Sequence, residues 1–151
     1  MIKRPNVEEA CGYKQVFDKE ELNGKIIKSV ILKYDQLTLV FADKTFAHFE
    51  STGEDNPYIE LDDEQCPLDY NSLLRVTYGG KEGYTWENPK FELTEIGEAM
   101  GADLETLKNM FFKARKDSQE ERESNEYKEY LRLKEKFENH DKAETSNTRT
   151  S

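Results

Sequence analysis

Three consecutive segments rich in β-branched and aromatic residues constrain the fold of this chain more than any other feature. They cover residues 26–34, 37–41 and 45–49, and each has a length typical of one strand. The pairs Asp35-Gln36 and Asp43-Lys44 separate them at the distance of hairpin turns. The pattern therefore predicts a three-stranded antiparallel meander.

Weaker strand signals follow, and then the pattern changes. Residues 73–78 predict a fourth strand, and residues 84–86 a returning fifth, across a glycine-rich turn at 79–83. The Asn88-Pro89 pair predicts the end of the sheet region. Helical periodicity follows at residues 94–100, 103–115 and 119–139. The expected fold class is α+β: an N-terminal antiparallel sheet of four to five strands, then a helix-turn-helix and a long C-terminal helix.

The same signals divide the chain into four parts. Residues 1–24 form an N-terminal segment with a short helix expected at 16–22, and residues 25–87 form the antiparallel β domain. Residues 90–140 form the helical region. The polar residues 141–151 contain no aromatic side chain, so a disordered tail is expected there.

Charge is distributed unevenly along the chain. The formal net charge is −10, from 22 basic and 32 acidic side chains, and such a field repels phosphate. Residues 50–70 hold eight acidic residues and no Lys or Arg. We expect a solvated loop or edge segment, or a surface that mimics nucleic acid and binds a partner through Asp62, Asp63 and Glu64. The segment lacks the spacing of a calcium-binding EF-hand.

Residues that could support catalysis are sparse. Cys11 and Cys66 are too few for a disulfide framework or a zinc site. His48 is expected to be a half-buried strand residue, since the other histidine, His140, lies in the tail. No nucleophile elbow, phosphate-binding glycine loop or paired-carboxylate pattern is present. The sequence predicts neither an enzyme, nor a cofactor, nor a metal site.

The chain also lacks targeting and membrane signals. Residues 1–10 have no apolar core, which argues against a signal peptide. No run approaches the ~18 apolar residues that span a bilayer. The expected setting is the cytoplasm, without a membrane partner.

Residues 94–116 fulfil the local requirements of a helix-turn-helix. Such a motif needs a small residue where two helices cross closely, and Gly97 supplies it. Its turn needs a residue that tolerates positive φ, and Gly101 stands four residues later. Thr94 and Asp103 are of the types that cap the first and second helices. The sequence thus predicts two short helices joined by a tight turn.

This segment resembles the helix-turn-helix of sigma-factor region four and of related bacterial and phage regulators. The likeness covers about 24 residues and rests on Gly101, Asp103 and three short runs, which are Glu95-Ile96-Gly97-Glu98, Thr106-Leu107-Lys108 and Lys113-Ala114-Arg115-Lys116. It implies that residues 104–116 form a recognition helix, which would enter the major groove of double-stranded DNA.

The resemblance also implies a role for individual side chains. Glu105 would accept a hydrogen bond from cytosine, Lys108 would donate to guanine, and Asn109 would bond adenine. Thr106, Lys113, Arg115 and Lys116 would contact phosphates, which positions the protein without specifying sequence. Residues 104–116 carry four basic side chains against Glu105, a net of +3. At physiological salt the Debye length is ~8 Å, so the distant acidic segment is largely screened.

Two function classes follow from these features. The first is a small DNA-binding regulatory protein. The second is an acidic, phage-type interaction or inhibitor protein that binds a host protein. Leu104 and Phe112 occupy outward places where the family has polar residues, and residues 117–129 carry a net charge of −4; both features favour a protein partner. A homodimer is compatible with either class.

Overall fold

The computed structural model describes residues 4–52 and 58–148, with side chains to residue 143. The described residues divide into two compact units, which are residues 4–112, without the undescribed residues 53–57, and residues 113–148. The class is α+β, as predicted, with a five-stranded sheet and a long C-terminal helix. No helix within the described ranges is both long and apolar enough to cross a membrane.

Strands and helices alternate irregularly through the first unit. The strands are β1 Lys14–Gln15, β2 Ile27–Lys33, β3 Gln36–Phe41, β4 Thr45–Thr52, β5 Tyr58–Leu61, β6 Leu74–Thr77 and β7 Lys90–Leu93. The helices are α1 Val7–Cys11, α2 Glu95–Ala99 and α3 Leu104–Thr148. Short 3-10 helices cover Lys19–Leu22 and Tyr70–Leu73; the first replaces the helix expected at residues 16–22.

The predicted meander forms the centre of the five-stranded sheet. Antiparallel β2, β3 and β4 lie side by side, and β5 extends the sheet along the far edge of β4. The sheet is nevertheless mixed, not purely antiparallel, because β1 pairs with β4 in parallel. A strand of two residues is too short to show a periodicity, so β1 is not predictable from the sequence pattern.

The second sheet differs from the prediction. Strand β6 lies within the predicted fourth strand, but its partner is β7, which follows Pro89. The predicted return strand at 84–86 is reduced to a single bridge between Gly79 and Tyr84. Pro89 does not end the sheet region as predicted. It lies just before β7, so its missing backbone N–H is not required for the hydrogen bonds between β6 and β7.

The helical region contains one long helix where two were expected. Helix α3 runs through residues 116–119 and through residues 141–148, where disorder was predicted. Residues 104–148 contain neither glycine nor proline, so no helix-breaking residue interrupts α3 over its described length. Residues 149–151 lie outside the described part. Helix α2 has only five residues, and a helix-turn-helix domain is not shown.

The core of the first unit lies on one face of the larger sheet. Val40 and Phe46 are fully buried there, and Leu73 and Leu107 complete the core from the 3-10 helix and from α3. Helices α1 and α2 contact the same 3-10 helix, and α2 also contacts β2. The core therefore unites the meander with the first two turns of α3.

Candidate functional sites

The corner between α2 and α3 has the local geometry that the sequence predicts. The Thr94 hydroxyl accepts a hydrogen bond from the Gly97 amide at 3.1 Å, and Asp103 accepts one from the Thr106 amide at 3.1 Å. These are N-caps of the expected type. Gly101 has φ of +63°, the left-handed conformation that the turn requires.

Gly97 has a different role from the predicted one. A Cβ atom at this position would clash with the backbone carbonyl of Leu73. The close approach therefore joins α2 to the 3-10 helix Tyr70–Leu73, not to α3. A small residue in a short helix indicates that another element packs closely against it. It does not indicate which element that is.

The predicted base-reading residues are not equally available. Asn109 is exposed. Lys108 is half-buried: its ammonium lies 3.3 Å from the Glu105 carboxylate and 5.5 Å from the centre of the Phe91 ring. Phe91 itself packs edge-on against Phe111 and Phe112. Lys108 and Glu105 thus form an ion pair over an aromatic cluster.

The predicted phosphate contacts are also paired with neighbouring groups. Lys113 lies 2.8 Å from Asp117, and Lys116 lies 4.0 Å from Glu120. The Thr106 hydroxyl donates to Asp103 at 2.7 Å, and Arg115 is half-buried. Carboxylates therefore oppose three of the four cations that gave residues 104–116 their positive charge.

The acidic segment is more structured than a solvated loop. Glu50 and Glu60 lie opposite each other on β4 and β5, while residues 53–57 are outside the described part. Among the three predicted partner-binding residues, Asp63 accepts the Gln65 amide in a turn, and Glu64 is exposed. Asp62 is half-buried. Asp63 and Glu64 thus remain open to solvent, whereas Asp62 is partly enclosed.

Asp62 instead lies beside His48, for which the sequence predicts only a half-buried place on a strand. Asp62 donates its amide to the His48 carbonyl at 2.9 Å, so the two side chains share a face of the sheet. Glu50 is two residues from His48 on β4 and shares that face. One nitrogen of His48 and one carboxylate oxygen from each acid lie within 4.8 Å of one another.

The His48 ring is almost completely buried, at 1% exposure. Its Nδ1 lies 2.8 Å from the Thr38 hydroxyl. Its Nε2 is buried and has no hydrogen-bond partner among the described atoms, although a Glu50 oxygen lies at 3.4 Å. A buried polar atom without a partner is costly, so Nε2 marks a position that favours a further ligand.

The Asp62 carboxylate is held by Gln15. The Gln15 amide nitrogen donates to Asp62 at 3.1 Å, and its oxygen accepts the Leu68 amide at 2.9 Å. The second bond fixes which end of the Gln15 amide faces Asp62. Burial raises the pKa of the Asp62 carboxyl above its usual range, although His48 and the Gln15 bond lower it.

Part of the opposite face of the same sheet is apolar and open to solvent, whereas Ala47, which lies opposite Leu39, and Phe41 are buried on that face. The register places Leu32, Leu37, Phe49 and Leu61 in one row across four strands. Val30 and Leu39 form the neighbouring row, and Ile59 lies two residues from Leu61. Val30, Leu32 and Ile59 are 59%, 74% and 64% exposed. We call these seven residues the open sheet face.

In the second unit, helix α3 also exposes apolar side chains. Tyr127, Tyr130 and Phe137 follow one another at helical spacing, with Leu131 and Leu133 beside them. Carboxylates continue the same stripe at Glu123, four residues before Tyr127, and at Asp141, four residues after Phe137. Residues 113–143 contain nine basic and nine acidic side chains, so this part of the helix is neutral overall.

Comparison with known proteins adds no relative: no family model, curated protein or solved structure matches the chain.

Proposed function

We propose that this protein is an interaction protein, and that its open sheet face binds an amphipathic helix of a basic partner protein. The observation that carries the proposal is the exposure of Val30, Leu32 and Ile59 on the apolar side of an ordered sheet. Contiguous exposed apolar surface on a soluble protein marks a site of association. A sheet face of this kind is stabilised when another layer packs on it.

The dimensions of the face suit one helix. Strands β2, β3, β4 and β5 are neighbours, and three strand spacings of about 4.8 Å make the face about 14 Å wide. A helix with its side chains is about 10–12 Å in diameter. The rows that contain Val30 and Leu32 would contact its apolar stripe.

Charge identifies the chemistry of the partner. Residues 1–112 carry 22 acidic and 12 basic side chains, a net charge of −10, so this unit accounts for the whole charge of the protein. Complementary charge speeds association and excludes like-charged partners. A helix with an apolar stripe between Lys and Arg side chains fits this unit, whereas a second copy would be repelled.

DNA binding is the second candidate. Asn109 is exposed on α3, in the place where the resemblance to sigma-type regulators implies adenine recognition. Against it, Lys108, Lys113 and Lys116 are each opposed by a carboxylate of the same helix. A phosphate would have to displace those carboxylates, so we rank protein binding first.

A synthetic helical peptide of about 18 residues, with leucine on one face and lysine on the other, serves as the probe. We expect the full-length protein to bind it in titration calorimetry, and added salt to weaken the binding. Burial of one leucine is worth about 1.5–3 kcal/mol. Leu32→Asp should therefore weaken binding by about tenfold or more, with an unchanged thermal melt, because Leu32 is exposed.

Tyr34→Asp is the matched control, since Tyr34 lies in the same hairpin and is 97% exposed but is not part of the open sheet face. It should retain wild-type affinity. A glutamate analogue of the peptide should bind far more weakly. An equal loss of peptide affinity in Leu32→Asp and Tyr34→Asp would overturn the proposal. A loss of affinity in Tyr130→Asp but not in Leu32→Asp would also overturn it and would place the binding site on α3.

A further inference from the structure

We propose that His48, Glu50 and Asp62 form a binding site for a divalent transition-metal ion of the Zn²⁺ class. The proposal rests on the facing of three side chains and on the buried Nε2 atom, which makes no hydrogen bond although a Glu50 oxygen lies 3.4 Å away. It is independent of the open sheet face. The two sites lie on opposite faces of the sheet, because His48 and Phe49 are consecutive on β4.

The donor set selects the class of ion. One imidazole nitrogen and two carboxylate oxygens are ligands that Zn²⁺ accepts, at about 2.0–2.2 Å each. Calcium prefers six to eight oxygen ligands and no imidazole. The donor atoms lie within 4.8 Å of one another, so a small movement of the side chains would bring all three within bonding distance of one ion. Glu50, whose side chain is 52% exposed, can make that movement.

Surrounding groups hold the ligands in the orientation that a metal requires. The Thr38 hydroxyl lies 2.8 Å from Nδ1 of His48. In the tautomer in which Nδ1–H donates to that hydroxyl, the lone pair is on Nε2, the atom that faces Glu50. Gln15 donates to one oxygen of Asp62 and is itself fixed by the Leu68 amide. These supporting bonds are of the kind that orient metal ligands in known sites.

The site also adjoins a cleft. His48 lines a cavity of about 170 Å³ between the sheet and α2, together with Ile31, Gln36 and Glu95. Three protein ligands would leave one tetrahedral position for a water molecule or another small ligand. An ion bound here would give the buried Nε2 atom a ligand bond. Its positive charge would also offset the repulsion between the Glu50 and Asp62 carboxylates.

The test is titration of the full-length protein with ZnCl₂ by calorimetry and with CoCl₂ by visible absorption. We expect one ion per chain and a visible cobalt spectrum typical of nitrogen and oxygen ligands. Glu50→Gln and Asp62→Asn should each weaken binding by about tenfold or more. Glu60→Gln is the matched control, because Glu60 lies opposite Glu50 but is outside the cluster, and it should bind as the wild type does.

Two results would overturn the proposal. The first is zinc affinity that neither Glu50→Gln nor Asp62→Asn changes; the second is cobalt absorption dominated by thiolate charge transfer, which would assign binding to Cys11 or Cys66. His48→Gln is a useful third variant only if its circular dichroism matches the wild type, because His48 is buried. The two carboxylate variants keep the test decisive if that variant unfolds.

Discussion

Gly97 and Gly101 look alike in the sequence and have different physical roles. In the predicted helix-turn-helix, Gly97 allows the two helices to cross closely and Gly101 forms the turn. Gly101 adopts positive φ with open space around it, whereas Gly97 packs against the Leu73 backbone. The sequence shows where a glycine stands. It does not show whether glycine is needed there for a positive φ, as at Gly101, or for a close backbone contact, as at Gly97.

These roles predict different costs for the same substitution. Gly97→Ala should lower the free energy of unfolding by about 2–3 kcal/mol, because the backbone of Leu73 cannot move aside as a side chain does. This loss would exceed the gain of up to ~1 kcal/mol that alanine brings to a helix. Gly101→Ala should cost about 1–2 kcal/mol through its positive φ. Urea unfolding measures both; a stabilised Gly97→Ala would contradict the packing described here.

At the scale of elements, strong local patterns were predictable and long-range pairings were not. The meander of β2, β3 and β4 follows from alternation and hairpin spacing, and its position was predicted within a few residues. Strand β7 was missed because Pro89 precedes it, and β1 because two residues have no periodicity. His48 meets Asp62 through the pairing of β4 with β5. Strand β5 lies within the acidic residues 50–70, whose composition predicts a loop or edge segment and does not reveal the register.

Helix α3 should differ in stability along its length. Its first turns place Leu107 in the core. Residues 113–148 are a single helix that forms the second unit, and most helical stability in proteins comes from packing. We expect amides of residues 120–140 to exchange with deuterium far faster than those of Val40 and Phe46. Equal protection in both regions would mean that this helix is packed in solution.

At the scale of the whole molecule, charge separates the two candidate functions. The net charge of −10 resides in residues 1–112, and residues 113–143 are neutral. Neither part carries the net positive charge that favours non-specific DNA binding. Residues 104–116 carry a net charge of +3, but Asp117 and Glu120 approach Lys113 and Lys116 from the next turn of the helix.

The wild type should therefore bind random duplex DNA weakly. We expect a Kd above about 0.1 mM at physiological salt, weaker than the usual range for non-specific binding by DNA-binding proteins. Fluorescence anisotropy with a labelled duplex measures it. Tight binding with a steep salt dependence, reduced by Lys113→Ala and Lys116→Ala, would restore the DNA-binding function and displace the one proposed here.

Backbone amide spectra of the labelled full-length protein, recorded during titration with the leucine–lysine peptide, test the central claim most directly. The open sheet face predicts that the largest shifts fall on Val30, Leu32, Leu39 and Leu61, and that residues 104–116 remain unchanged. Shifts confined to α3, or no shifts at peptide concentrations up to the millimolar range, would contradict the proposal that this sheet binds a partner helix.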